Sequence, residues 1–169
     1  MKEYIYLGKV ANTHGIKGEI RIKSDFEKKD IVFKNGFNIY FGPKKLKETI
    51  NTYRIHKDYD MVTLEGINDI NDVLKYKGAA VYVKRDDLNL DNNDYVLEDL
   101  IGFSIKENDN ILGIVEDFMY NNKSILLTIK GQKNFYIPYN DVYIKKVDME
   151  NKIIETNNAE DLILWELIF

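Results

Sequence analysis

Cysteine is missing from all 169 residues, and histidine occurs only twice, at His14 and His56. Without thiols there are no disulfides, no thiolate metal sites and no cysteine nucleophile, and a reducing compartment is the default. Two histidines leave little material for a histidine-built metal centre or a two-histidine mechanism. No apolar run approaches the roughly 18 residues a membrane helix needs. The amino-terminal MKEYIYLGKV alternates apolar and polar residues, whereas a signal peptide carries a continuous apolar core. A cytoplasmic setting, away from any membrane, is expected. What is present fits a soluble globular protein: 44% hydrophobic and 31% charged residues exclude wholesale disorder, and the length suits one ordinary domain or two small ones.

The net charge of −4 hides a division. Residues 1–85 hold 17 Lys+Arg against 11 Asp+Glu, a net of +6, and residues 86–169 hold 7 against 17, a net of −10. A basic half suits a polyanion such as RNA, and an acidic half suits a basic protein. Each charge set also solvates its own surface, so the division alone assigns no partner.

Period-two alternation dominates the chain and marks half-buried strands. Strands are expected at Tyr4–Ala11, with Ile5, Leu7 and Ala11 opposed to Tyr4, Tyr6 and Val10, and at Glu19–Lys23, Phe37–Phe41, Ile50–His56, Met61–Leu64 and Ala79–Lys84. Gly42-Pro43 closes the third, and the tetrapeptide KDYD makes a hairpin loop between the fourth and fifth. Asp69 to Tyr76 reads as a short helix, capped by Asp69, with Ile70, Val73 and Leu74 on one face and Gly78 beyond its end. RDDLNLDNND, where the charge balance changes sign, reads as an interdomain linker. Beyond it, strands are expected at Phe103–Lys106, Leu112–Phe118, Ser124–Ile129, Asn134–Ile137, Val142–Val147 and Lys152–Glu155. The tail NAEDLILWELIF fits either a helix or a strand. The expected fold is mainly β: two small barrels in tandem, 1–85 and 94–169, joined by an acidic linker at 86–93, with one or two short helices.

The densest motif is GKVANTHGIKGEIRIKSDF, Gly8 to Phe26. Gly15 and Gly18 bracket Ile16-Lys17 between two strands, where glycine supplies positive φ or close backbone approach. A phosphate-cradling glycine loop needs a helix behind it, and here a strand follows, so His14, Gly15 and Gly18 read as a structural turn. Lys17, Arg21 and Lys23 form a basic edge able to touch an RNA backbone without reading its sequence. His14 has no evident carboxylate partner, and no catalytic constellation emerges. In the linker, Asp87, Asn89, Asp91 and Glu98 reproduce the spacing of a calcium loop, although Asn92 replaces its glycine and a strand replaces its entering helix. In DYVLEDLIG, Leu97, Leu100 and Ile101 read mostly as core. Tyr95, like Tyr136 and Tyr139 around Pro138, fits either core packing or an interface anchor.

GKVANTHGIKGEIRIKSDF resembles the opening signature of the RimM family of ribosome maturation factors, also described as 16S rRNA processing proteins. NDVLKYKGAAVYVKRDDL is similar to the end of that family's first domain. DYVLEDLIGFSI, ILGIVEDF and IPYNDVYIKKVDMENKIIE are similar to its second, PRC-barrel domain. Each motif is loose, but their order and spacing are specific. The resemblance implies a translation-factor-like six-stranded barrel followed by a PRC barrel. It implies a non-enzymatic chaperone without cofactor or metal, which binds the immature small ribosomal subunit as a monomer. The partners it implies are 16S rRNA and the nineteenth protein of the small-subunit series, in the subunit head. Tyr95, Val96 and Leu100 become candidates for the protein or subunit contact, and Lys17, Arg21 and Lys23 for the rRNA backbone. Where the family commonly has two adjacent tyrosines and a tryptophan, this chain has Tyr95, Val96 and Leu97, so one ring of the aromatic pair remains. The alternatives are a PRC-barrel adaptor with no RNA role and a calcium-responsive module.

Overall fold

The computed structural model describes residues 2–121 and 123–166, with side chains to residue 163. It divides the chain into two compact units, Met1–Asn92 and Asn93–Phe169. Both are built of strands. Among the described residues no helix is long and apolar enough to cross a membrane.

The first unit contains β1 (Tyr4–His14), β2 (Glu19–Lys23), α1 (Lys29–Val32), β3 (Asn38–Phe41), β4 (Leu46–His56), β5 (Tyr59–Leu64) and β6 (Ala80–Lys84). The strands close into a barrel in the order β1-β2-β5-β4-β3-β6, with β6 pairing back onto β1. Closure leaves no free sheet edge. Ile5, Leu7, Ile20, Ile22, Ile39 and Val83 point inward and are almost fully buried. The alternation expected in β1 changes phase: Val10 is buried with Leu7, and Ala11 faces solvent. Register irregularities cause this. Tyr6 pairs with Tyr82 while Gly8 pairs with Val81, so β1 uses one residue more than β6 over the same span.

The turn between β4 and β5 is tighter than KDYD suggests. His56 pairs with Tyr59, leaving a two-residue turn in which Lys57 is left-handed at φ 55°. Tyr59 and Asp60 therefore belong to the strand, and Asp60 is buried. Its carboxylate accepts from Lys29 Nζ and from Tyr53 Oη, both at 2.7 Å, which ties α1 to the barrel wall. Residues 70–76 form two short 3₁₀ turns, Ile70–Asp72 and Leu74–Tyr76, where one α-helix was expected. Asp69 does cap the first, accepting from Asn71 N at 2.8 Å. The period is three: Val73 and Tyr76 are buried while Leu74 is exposed, and this spacing suits the 3₁₀ form. The expected linker is ordered at its start, where Arg85–Leu88 makes a 3₁₀ turn against β6 and buries Leu88.

The second unit contains β7 (Ser104–Glu107), β8 (Asn110–Asn121), β9 (Ser124–Lys130), β10 (Phe135–Pro138), β11 (Ile144–Asp148), β12 (Ile153–Thr156) and α2 (Ala159–Glu166). The sheet order is β10-β9-β8-β7-β12-β11. All neighbours are antiparallel except β12 and β7, which run parallel. Phe103, Ile105, Val115, Leu127, Ile129 and Phe135 lie in one core cluster. The backbone of the tail is helical through Glu166 and packs on β10.

Candidate nucleic-acid and protein interfaces

The loop joining β1 to β2 uses its two glycines differently. Both have positive φ, 76° at Gly15 and 90° at Gly18. A Cβ on Gly15 would meet open space, whereas one on Gly18 would lie 3.1 Å from the Asp69 carbonyl oxygen. Gly18 thus lets the loop lie against the segment before the 3₁₀ turns, where Ile70 N donates to Ile16 O at 2.9 Å. The loop is clamped, and its tip projects: Ile16 is 81% exposed and Lys17 is exposed beside it.

Behind the tip, β2 alternates. Ile20 and Ile22 fill the barrel, so Glu19, Arg21 and Lys23 lie on its outer face. The structure brings two of the three expected basic residues to one place. The Arg21 guanidinium carbon and Lys23 Nζ lie 5.7 and 6.0 Å from the centroid of the Tyr59 ring. Lys17 belongs to the loop tip. Arg21 Nη2 lies 2.8 Å from His14 Nδ1, placed to donate to it. Arg21 Nε is buried and has no hydrogen-bond partner. Donors left over in this way are uncommon, and here one sits among cations.

The His14 and His56 rings are 6.0 Å apart. His56 is pushed below the usual imidazole range by desolvation first, and then by Arg54, Lys57, Arg21 and His14. Arg54 is paired, donating to both Glu19 carboxylate oxygens at 2.9 and 2.7 Å. That bond holds the Glu19 carboxyl below its usual range. Sequence reasoning missed His56 and Tyr59, which lie more than thirty residues from β2. The antiparallel pairing of β2 with β5, and of β5 with β4, brings them there.

In the second unit, Tyr95, Val96 and Leu100 separate. Leu100 is 0% exposed within the core cluster and Val96 is 1% exposed, so neither offers a side chain to a partner. Their burial follows from the 3₁₀ turn Leu97–Leu100, in which Asp99 Oδ2 accepts from Val96 N at 3.1 Å and Asp99 N donates to Val96 O at 2.9 Å. Tyr95 is half-buried, and its hydroxyl shares a short hydrogen bond with that of Tyr139. The hydroxyl that meets Tyr95 thus comes from a residue 44 positions away in the chain. Tyr136, on β10, is 46% exposed.

The calcium-loop spacing builds no site. Asp87 lies in the 3₁₀ turn after β6, Asn89 is left-handed at φ 50°, and the segment joins no pair of α-helices. Among the described residues no group of three or more His, Cys, Asp or Glu side chains is placed to hold a metal ion. Equal spacing along the chain does not make ligands converge.

Comparison with known proteins covers both units. The RimM N-terminal domain family matches residues 5–88, and the RimM PRC barrel domain family matches residues 97–162. The ribosome maturation factor RimM of Staphylococcus haemolyticus (strain JCSC1435) is 37% identical over 164 residues, covering 94% of this chain and 98% of that protein. The protein of that name from Staphylococcus aureus (strain bovine RF122 / ET3-1) is 36% identical with the same coverage. A solution structure of the N-terminal domain of RimM from Thermus thermophilus is similar over 53% of this chain and 98% of that one, with 18% identity and a TM-score of 0.44.

Proposed function

The chain belongs to the RimM family, and from that premise we propose that it is a ribosome maturation factor acting as a non-enzymatic assembly chaperone. It binds the immature small subunit at its head, contacting 16S rRNA through the first unit and the nineteenth small-subunit protein through the second. It works as a monomer in the cytoplasm.

The observation that carries the RNA half of this reading is the outer face of β2, where Arg21 and the exposed Lys23 lie together over the Tyr59 ring, next to two histidines. A phosphate group on this face would neutralise the cluster. Lys17, at the exposed loop tip, would follow the same backbone. The protein half rests on Tyr95 with Tyr139, an aromatic pair in an acidic half of net −10. Half-buried tyrosines with a polar tip are the residue type that anchors interfaces, and the acidic surroundings suit a basic ribosomal protein.

A chaperone of this kind shifts an equilibrium only by preferring one state. The two contacts would favour an immature arrangement of head protein and rRNA, and release would follow once maturation removes the match. Pull-down from lysate with the full chain tests this: immature small subunits are retained in preference to mature ones, and retention of neither would refute the reading. Combined Arg21→Gln and Lys23→Gln should weaken binding and reduce the salt slope by about one for each phosphate no longer neutralised. Tyr95→Ala should weaken subunit binding while the chain stays folded. A protein-only adaptor would instead show a flat response to salt and to both basic substitutions.

A further inference from the structure

A second aromatic surface lies on the outer face of β1, β6 and β3, apart from the Arg21 cluster. In register, Tyr6 of β1 stands opposite Tyr82 of β6, Tyr82 stands opposite Tyr40 of β3, and Tyr4 pairs with Lys84. The rings meet edge to face, Tyr6–Tyr82 at 6.0 Å and Tyr4–Tyr40 at 5.2 Å between centroids. Two ammonium groups are set among them. Lys45 Nζ is 3.9 Å from the Tyr82 centroid and 5.6 Å from that of Tyr4. Lys84 Nζ is 5.4 Å from Tyr40 and 5.8 Å from Tyr4. Tyr40 is buried at the base, Tyr4 and Tyr82 are half-buried, and Tyr6 is 50% exposed.

Cross-strand aromatic pairs stabilise any sheet and cations over the rings add to that, while the half-exposed Tyr6 and two ammonium groups on one face also leave a surface open to a partner. We propose that Tyr4, Tyr6 and Tyr82, with Lys45 and Lys84, form a stacking platform for the bases of single-stranded RNA. Each base has a π face, which makes such contact tolerant of sequence. The ammonium groups beside the rings suit the phosphates linking those bases. An acidic peptide would engage the lysines but leave the rings without partners, so the combination favours nucleic acid. This inference rests on the reading of the first unit as RNA-binding and adds a mode of contact to it: base stacking here, backbone contact at Arg21 and Lys23.

The test uses the full chain and a fluorescent single-stranded RNA octanucleotide of mixed sequence, titrated by anisotropy at two salt concentrations. Tyr6→Leu and Tyr82→Leu should each weaken binding by about fivefold or more, the range expected for loss of one stacked base, with the salt slope unchanged. Tyr6→Phe should bind like the unsubstituted chain, because stacking needs the ring and not the hydroxyl. An octanucleotide lacking its bases should bind the unsubstituted chain and Tyr6→Leu equally. Unaltered melting temperatures separate a weakened binding face from a weakened fold. If the unsubstituted chain binds RNA and the Arg21 and Lys23 substitutions weaken it while both tyrosine-to-leucine variants bind normally, the platform is refuted and the backbone contact stands. If the unsubstituted chain binds no RNA, both are refuted. If Tyr6→Leu loses affinity equally for RNA and for an oligoglutamate peptide, the face belongs to an acidic protein and the proposal fails.

Discussion

Replacing Glu107 with alanine removes one acceptor from three donors at once. Glu107 ends β7, is 5% exposed, and sends its carboxylate to the start of α2. Oε1 accepts from Thr156 Oγ1 at 3.1 Å and from Ala159 N at 2.8 Å, and Oε2 accepts from Glu160 N at 3.0 Å. Asn158, just before the helix, is left-handed at φ 61°, unlike the extended residue that ordinarily caps an N-terminus with its own side chain. The cap comes instead from 52 residues away. In Glu107→Ala the Ala159 amide is left buried, at about 1–3 kcal/mol. Thr156 Oγ1 can still turn to the Lys106 carbonyl oxygen at 3.5 Å, and the partly buried Glu160 amide can take water, so these contribute less. Loss of negative charge at the helix N-terminus adds about 0.5 kcal/mol. The expected total is about 3 kcal/mol, a large fraction of the roughly 5–10 kcal/mol available to a small domain. Glu107→Gln keeps one acceptor and should cost about half as much. Urea unfolding followed by circular dichroism gives the size of the effect, and amide hydrogen exchange at Ala159 and Glu160 assigns it to α2. A loss below about 0.5 kcal/mol for alanine, or a glutamine variant less stable than the alanine one, would refute the reasoning.

Gly8→Ala should destabilise the barrel by about 2 kcal/mol or more, as overpacking does, because its Cβ would lie 2.4 Å from the Lys23 carbonyl oxygen and 3.1 Å from Ser24 Cα. These are backbone atoms that no rotamer change can move, and an unchanged melting temperature would contradict this. RNA affinity should also depend on pH. In the free protein His56 is held below its ordinary range by desolvation and by neighbouring cations, and a bound phosphate would favour its charged form. The complex therefore binds more protons than the free chain, so affinity should rise as pH falls from 8 towards 6 at constant ionic strength. His56→Gln should flatten the profile. Affinity that falls on acidification would exclude the phosphate contact at this cluster.

Much of the fold was legible because alternation is local. Ile20 and Ile22 against Arg21 and Lys23 announce both a strand and its wet face, and closely spaced glycines announce the loop before it. Local signals mislead where a partner strand changes the count. The phase of β1 shifts beyond Leu7 because β6 and β2 pair with it irregularly. KDYD looks like a loop, yet Asp60 is a buried acceptor for a lysine 31 residues away. Val96 and Leu100 sit close to the half-buried Tyr95 in sequence, but the 3₁₀ turn directs them inward. The hydroxyl that does meet Tyr95 comes from Tyr139.

The amino-acid sequence alone determined the mainly β character, the charge division and which basic and aromatic residues the outer faces carry. Each of these depends on residue type and on neighbours one or two positions away. Tertiary structure alone decided which distant residues meet: Arg21 with Tyr59, Tyr6 with Tyr82, Glu107 with the start of α2, and β7 with β12 in parallel. Such pairings follow from closing long loops around a shared core, and no local pattern encodes the partner that lies across it.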